Sequence, residues 1–308
     1  MKVLSILNEK GGVGKSFIAT QFAYFCRYKL GNRVLVIDLD QQGNSGDILS
    51  SSGLCQSSSV YSGEVMKEGR PIEPTSEFLV VKGDDSLLEL GEVGDDGVVT
   101  YNLSVAITNV QNDFDICIID CPPSADVRQF AALSVATDYL VPFQVKAESI
   151  AGVDKTLSRA TVIKDSINPD LNFLGLLMSL VRMQGIQKSN YEALLKTMGH
   201  ILLKRYDPKT KTESGVCCIT DRSEYAAAQQ MKRPVFFSEN GQTRKEALEV
   251  ARVWITLIHQ LGLPIKKPIK IEKDPQTGKL REVPTPIEQF KPTASAAEEN
   301  AQEQVNNA

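Results

Sequence analysis

Lys10-Gly11-Gly12-Val13-Gly14-Lys15-Ser16 is the stretch on which the fold turns. It follows a short apolar run, Val3-Leu4-Ser5-Ile6-Leu7, that reads as a buried strand. It opens into Phe17-Ile18-Ala19-Thr20-Gln21-Phe22-Ala23-Tyr24-Phe25, which reads as a helix. A glycine-rich turn between strand and helix, closed by Lys-Ser, has the layout of a phosphate-binding loop. Glycines let consecutive backbone N–H groups curl round an anion, and the helix start adds positive potential. Lys15 then reaches the outer phosphates, and the Ser16 hydroxyl can ligate Mg²⁺. Glycines alone often mark only a tight turn. The complete Gly-x-x-Gly-Lys-Ser ending, in its strand–loop–helix setting, points instead to a nucleoside triphosphate. Lys10 is a separate problem, because Lys15 already supplies the charge that the loop's own nucleotide needs.

With 308 residues and 42% hydrophobic content, the chain can bury a substantial core. One α/β domain of roughly 260 residues plus an extension is the expectation. No stretch approaches the ~18 apolar residues of a membrane span, and nothing at the N-terminus reads as a signal peptide. A cytoplasmic protein is expected. The six cysteines (Cys26, Cys55, Cys117, Cys121, Cys217 and Cys218) form no Cys-x-x-Cys pair, and the chain has only two histidines. Buried thiols, rather than a zinc site or disulfide framework, fit that usage. Charge is uneven along the chain. From Asp38 to Asp126 there are 17 Asp/Glu against three Lys/Arg; from Arg182 to Arg252 there are 13 Lys/Arg against eight Asp/Glu. A basic segment set apart from an acidic one suggests a polyanionic partner or simply a solvated surface, and charge alone does not choose between them.

Along the chain, the first helix stops near Leu30-Gly31-Asn32, where Gly31 suits a left-handed cap. Val34 to Asp40 follows as an apolar strand without alternation, as in a parallel sheet covered on both faces. Its aspartates fall at the carboxyl end, where open α/β sheets place ligands. Gln41 to Gly46 reads as a polar, flexible loop, Ser57 to Tyr61 as a candidate helix start, Phe78 to Val81 as a strand, Gly91 to Gly97 as an acidic turn and Tyr101 to Val110 as a helix. In Phe114 to Pro123 a second buried strand ends in a carboxylate, Asp120, and two prolines turn the chain outward. An aspartate after four apolar residues is the Walker B pattern that holds Mg²⁺ through water. Strands are expected at 138–143 and 171–180, and helices at 151–165, 189–204 and 243–261, with a basic turn at 205–211. The single tryptophan, Trp254, reads as a core anchor. Six prolines between Pro264 and Pro292, then an Ala/Glu/Asn/Gln-rich end, make residues 264–308 a flexible tail beyond a domain at 1–263.

The chain resembles the ParA/MinD family of deviant Walker-A P-loop ATPases, most closely its ParA-type DNA partition branch. The resemblance rests on Asn8 to Ser16, Val34 to Asn44, Asp120 to Ser124 and Phe173 to Leu177. A weaker fifth stretch, Ile219 to Tyr225 through Pro234-Val235, is similar to the family's segment beside the nucleotide base. The resemblance implies a P-loop NTPase-like fold, a mostly parallel twisted sheet with helices on both faces, that binds ATP and Mg²⁺. It implies catalytic roles for Lys10, Lys15 and Asp38, with Asp38 positioning water. It also implies nucleotide binding by Lys10, Gly11, Gly12, Val13, Gly14, Lys15, Ser16 and Phe17, and Mg²⁺ held directly by Ser16 and through water by Asp120. Asp40 is a switch residue. Lys10 becomes a group that crosses to the partner's ATP in a sandwich homodimer, acting in trans like an arginine finger.

The function so implied is an ATPase for plasmid or chromosome segregation. Its ATP dimer would bind non-specific DNA on the nucleoid, hydrolyse ATP slowly when alone, and be released when a ParB-like centromere-binding partner stimulates hydrolysis. Candidate phosphate contacts in the basic segment are Arg205, Lys209, Lys211, Arg222, Lys232, Arg233, Arg244 and Lys245. A MinD-like positioning ATPase acting on membrane is the alternative, but the C-terminus from Gln289 is acidic to neutral with one aromatic and makes a poor membrane anchor. Two departures stand out. Gln41 occupies a place where the family commonly has proline, and Thr220-Asp221-Arg222 replaces its usual Pro-Arg-Asn.

Overall fold

The computed structural model describes residues 1–91, 96–182, 186–237 and 245–283. Strand β1 (Lys2–Ile6) leads into helix α1 (Lys15–Leu30), then β2 (Val34–Asp38) and α2 (Asn44–Ser51). A two-residue strand β3 (Gln56–Ser57), α3 (Ser62–Glu68) and β4 (Phe78–Val81) follow, with a 3-10 turn at Asp85–Gly91. The middle of the chain is α4 (Asp96–Asn109), β5 (Ile116–Asp120), α5 (Val127–Val135), β6 (Asp138–Phe143), α6 (Ala147–Ser166) and β7 (Asn172–Val181). Then come α7 (Ile186–Met198), a hairpin of β8 (Lys204–Asp207) and β9 (Thr212–Val216), β10 (Cys218–Thr220), α8 (Ser223–Gln230) and α9 (Lys245–Leu261). A last hairpin joins β11 (Ile271–Lys273) to β12 (Leu280–Glu282).

Eight strands form one sheet in the order β10-β7-β6-β1-β5-β2-β4-β3, and every pair is parallel. The unbroken apolar runs of β2 and β5 follow from their central places, since residues on both faces are buried. Leu35, Ile37, Cys117 and Ile119 face a layer built from α3 to α7. Val34, Val36, Ile116 and Ile118 face the layer of α1, α2, α8 and α9. Each such side chain contributes roughly 1.5–3 kcal/mol on full burial. Helix α1 runs between two left-handed glycines, Gly14 (φ 88°) and Gly31 (φ 67°). Its end is closed by the Gly31 N–H on the Arg27 carbonyl and the Asn32 N–H on the Cys26 carbonyl, both at 3.0 Å.

Several local expectations differ from the structure. The stretch 41–46 is a loop only as far as Gly43, whose left-handed φ of 62° starts α2 at Asn44. Gln56 and Ser57 pair with β4 as an edge strand, and the helix begins only at Ser62, capped by the Glu64 carboxylate on the Tyr61 N–H at 2.8 Å. The helix expected over 189–204 stops at Met198. The apolar Ile201-Leu202-Leu203 that prolonged its pattern lies beside β7 instead, Leu202 and Leu203 buried, with the Leu176 N–H on the Ile201 carbonyl and the Leu203 N–H on the Leu176 carbonyl. The basic turn at 205–211 is part of the β8–β9 hairpin.

The segment from 264 departs most from a flexible tail. Its backbone returns along α1, the Lys266 N–H on the Leu30 carbonyl at 2.8 Å and the Ile269 N–H on the Tyr28 carbonyl at 3.0 Å. The β11–β12 hairpin then buries Leu280 and sets Glu282 against Arg27 at 3.1 Å. Its prolines and lysines conceal this because the docking is made by backbone groups and a few scattered side chains, such as Leu280 and Glu282. Residues 284–308 lie outside the described residues, as do 92–95 of the expected acidic turn.

Candidate active site

The glycine loop leaves β1 at the carboxyl edge of the sheet, between β5 and β6. Neighbouring elements hold it by its carbonyls. Gln144 Nε2 donates to the Gly12 carbonyl at 2.8 Å and Ser179 Oγ to the Val13 carbonyl at 2.5 Å. Buried Asn8 braces the base, donating from Nδ2 to the Pro142 carbonyl at 2.8 Å and accepting the Lys10 N–H at 2.9 Å. A loop fixed through its carbonyls can turn its N–H groups to an anion. Gly12 (φ 72°) and Gly14 (φ 88°) are left-handed, and a Cβ on Gly12 would meet nothing within 4 Å, so backbone conformation rather than space demands glycine there.

Lys15 is buried, with Nζ on the Asn8 carbonyl at 3.1 Å and the Lys10 carbonyl at 3.2 Å. Burial lowers its pKa, while Asp120 and Asp40 pull the other way. Lys10 stands half-buried at the head of the loop, its backbone engaged on both sides by these contacts.

Asp38 and Asp120 end adjacent parallel strands and are direct register partners, with Ile6 of β1 on the far side of Asp120. Asp38 Oδ1 accepts the Asp40 N–H at 3.0 Å and Oδ2 the Gly46 N–H at 2.8 Å. Burial, reinforced by Asp120, raises the Asp38 carboxyl well above the usual range despite those donors. Burial also raises Asp120, to about 6, against hydrogen bonds from the Ser45 and Ser16 hydroxyls and the charge of Lys15. Asp120 Oδ1 is buried with no hydrogen-bond partner. An orphaned carboxylate oxygen beside a serine hydroxyl, in a site with excess negative charge, is the hard oxygen donor set that Mg²⁺ takes. Ser16 and Asp120 therefore fit the metal, which would supply charge neutralisation on phosphate oxygens.

A cleft of about 430 Å³ lies over this edge, lined by residues 11 to 17 and by Asp40, Asn44, Ile48, Pro123, Leu180 and Gln229. That volume is in the range of small-molecule sites, roughly 300–1,000 Å³. On one side the Phe17 ring packs on Tyr225 at 5.1 Å. Gln21 clasps the segment after α8, donating to the Arg233 carbonyl at 3.1 Å and accepting the Val235 N–H at 2.8 Å. The Thr220-Asp221-Arg222 stretch lies at the end of β10, with Asp221 paired to Arg182 at 2.6 Å.

In the sequence alone Asn8 carries no role of its own, and Ser45, Gln144, Ser179 and Arg128 are not marked as site residues. Ser179 left a readable mark, a lone hydroxyl near the end of an apolar strand. Ser45 did not, because it reaches Asp120 only once Gly43 has started a helix.

The candidate polyanion contacts fall into separate groups. Arg205, Lys209 and Lys211 share the β8–β9 hairpin, and Arg205 and Lys209 line a cleft of about 450 Å³ with Arg252 of α9. The hairpin is seated by the Tyr206 ring stacked on His259 at 3.6 Å and the Tyr206 N–H on Thr256 Oγ1 at 3.0 Å. Arg222 is turned onto Glu249, at 3.0 Å from Nε and 2.9 Å from Nη2, so its charge is matched within the fold. Lys232 and Arg233 are half-buried after α8, and Lys245 is exposed at the first turn of α9. Arg244 lies outside the described residues.

A loop of this build, between the first strand and first helix of a parallel sheet and facing two strand-end aspartates, defines a P-loop nucleotide-binding protein. A family model described as AAA domain matches residues 1–173. The chromosome partitioning protein ParA of Myxococcus xanthus is 29% identical over 187 residues, 58% of this chain and 65% of that protein. The chromosome-partitioning ATPase Soj of Thermus thermophilus is 29% identical over 202 residues, 63% of this chain and 75% of Soj. The chain belongs to the ParA/MinD family of P-loop ATPases. Its fold is also that of the cobyrinic acid a,c-diamide synthase of Mycobacterium smegmatis, solved with a bound ATP analog and magnesium. That likeness has a TM-score of 0.63 at 24% identity and covers 87% of this chain and 100% of that one.

Proposed function

We propose that this chain is an ATP-hydrolysing DNA partition protein, built on a single domain over residues 1–263 against which the segment 264–283 docks. The register pairing of Asp38 with Asp120 beneath the phosphate loop is the observation that carries this reading. It supports a water-positioning role for Asp38 next to a metal-holding role for Ser16 and Asp120, with the Lys15 charge acting on Asp120. Gly11 to Phe17 bind the phosphates, Ser16 and Asp120 hold Mg²⁺, and Asp38 orients the attacking water. Lys10 acts across a sandwich homodimer on the partner's ATP, the deviant Walker-A role. The Arg205–Lys209–Arg252 cleft, with Lys211 on the same hairpin, supports contact with DNA phosphates. Hydrolysis is slow until a ParB-like centromere-binding protein stimulates it, and the ATP dimer spends its lifetime on nucleoid DNA. Two partition proteins among the relatives, ParA and Soj, support this reading.

Co-sedimentation with random-sequence duplex DNA and with anionic liposomes, each with ATP and with ADP, tests it. DNA binding should require ATP, and log K should fall against log salt with a slope of roughly −0.9 per phosphate contacted. Lys15→Ala should abolish nucleotide binding. Lys10→Ala should retain it and lose dimerisation or hydrolysis. Salt-insensitive DNA binding, ATP-dependent pelleting with liposomes alone, or a fully active Lys10→Ala protein would each overturn the corresponding part of the proposal.

A further inference from the structure

Arg128, in the first turn of α5, is only 4% exposed, although its guanidinium has no place in the phosphate-binding machinery. Nη1 donates to the Leu39 carbonyl at 3.3 Å and to Gln41 Oε1 at 2.7 Å. Nη2 donates to Ser124 Oγ at 2.8 Å and Asp126 Oδ2 at 2.5 Å, and Nε to both Asp126 oxygens at 3.1 Å. Asp126 is fixed in turn, accepting the Arg128 N–H at 3.0 Å as the cap of α5 and the Ser124 hydroxyl at 2.7 Å. One planar cation thus ties two loops together. The first follows β2 and carries Asp38 at its root and Asp40 in the cleft; the second follows β5 and carries Asp120 at its root and Pro123 in the cleft. A guanidinium suits the task because its rigid fork satisfies several acceptors at once.

We propose that Arg128 and Gln41 form a latch that positions the post-β2 loop against the post-β5 loop for ATP turnover. Neither residue lines the phosphate loop, so the latch governs turnover rather than nucleotide affinity. They are positioning residues, and the proposal rests on the ATP-hydrolysing reading above. The Arg128–Asp126 side of the bridge lies within α5 and its cap, and is structural. The Gln41 side crosses between loops and is the part that a conformational step would make or break. Gln41 is half-buried and Arg128 keeps Asp126, Ser124 and Leu39 without it, so Gln41 can be changed without stranding a buried charge.

The test measures single-turnover ATP hydrolysis, fluorescent-nucleotide affinity and thermal unfolding in the full chain and three variants. Gln41→Leu removes the acceptor at similar size and should slow turnover about tenfold, the scale of one hydrogen bond to a charged group, with affinity changed by less than about twofold. Gln41→Glu keeps an acceptor oxygen and should restore turnover to within about threefold of the parent. Arg128→Lys cannot bridge both loops, and adding Gln41→Leu to it should cost nothing further, because residues acting as one unit are non-additive. An active parent whose Gln41→Leu variant turns over normally overturns the latch. So do equal losses of turnover and affinity, multiplicative effects in the double variant, or a loss that Gln41→Glu does not rescue. A folded parent that binds ATP but never hydrolyses it overturns the reading of the site itself, a result distinct from any of these.

Discussion

Gly53→Ala tests the docking of the C-terminal hairpin, because Gly53 is one of the two glycines over which the returning chain passes. Gly53 has φ +79°, and a Cβ built on it would lie 2.6 Å from the Leu280 carbonyl oxygen. Gly262 has a comparable φ of +64°, yet its Cβ would meet nothing within 4 Å. Left-handed backbone costs either alanine about 1–2 kcal/mol, offset by about 0.5 kcal/mol from a stiffer unfolded chain. Only at Gly53 is a collision added. Ordinary contact begins at 3.4 Å, so the β12 backbone must retreat by about 0.8 Å, the difference between 3.4 and 2.6 Å. Leu280 is buried in one layer with Leu54 and Cys55, and Glu282 bonds Arg27 Nε at 3.1 Å and the Tyr28 hydroxyl at 3.3 Å. Undocking would forfeit about 1.5–3 kcal/mol of Leu280 burial and leave Arg27 with Glu77 as its remaining carboxylate at 2.8 Å. Gly262→Ala should therefore cost about 1 kcal/mol and Gly53→Ala about 3 kcal/mol. Urea unfolding read from the fluorescence of Trp254, the chain's only tryptophan and buried beside Phe22, measures both. Limited proteolysis should cut residues 266–283 faster in Gly53→Ala alone. Equal losses in the two variants with equal protection of the hairpin would refute the docking.

Ser179→Ala removes the hydroxyl on the Val13 carbonyl; a cost of about 1 kcal/mol in stability and several-fold weaker binding of an ATP analog are expected, checked by urea unfolding and nucleotide titration. Asp115 is pulled up by burial but held below the usual carboxylate range by hydrogen bonds from Lys266 and Arg33. A depressed folded-state pKa adds stability that is present above the ordinary carboxylate pKa, near 4, and is lost as pH falls below it. Asp115→Asn should therefore flatten the acid limb of an unfolding curve measured from pH 2 to 5. Arg252→Ala should reduce the salt slope of DNA binding by about 1, whereas Arg222→Ala should leave it unchanged, since Glu249 already matches that charge.

Local sequence carried the site where chemistry and period coincide. Val3 to Ser16, Val34 to Asp38 and Phe114 to Asp120 each join an apolar run to a polar residue at its end, and that pattern is enough to place Lys15, Asp38 and Asp120 at one sheet edge. Short elements escaped because three to eight residues show no period. β10 and α8, of three and eight residues, fall in the stretch from Ile219 that carries only a weak family resemblance, although Gln229 of α8 lines the cleft. The overlong helix at 189–204 failed for another reason: Ile201 to Leu203 suit a helix face and a strand equally well, and the part of β7 ahead of its pairing with β10 decided between them. The docked hairpin was illegible because it depends on contacts between residues more than 200 positions apart, such as Arg27 with Glu282.

The buried carboxylate pair also explains why this edge of the molecule is suited to a switch. Asp38 and Asp120 are held almost fully out of water, side by side, with the charge of Lys15 acting on Asp120 and Asp120 Oδ1 left without a hydrogen-bond partner. Burial and mutual repulsion disfavour the doubly ionised form, so the ligand-free site holds its two carboxylates in an unfavourable setting. A divalent cation and a triphosphate bring the opposite charge and the missing contacts together. Their binding energy is therefore exerted on the ends of β2 and β5, the two strands whose following loops Arg128 joins. A ligand can shift a conformational equilibrium only by its differential contacts with the two states, and here those contacts converge on two residues paired in register on adjacent strands.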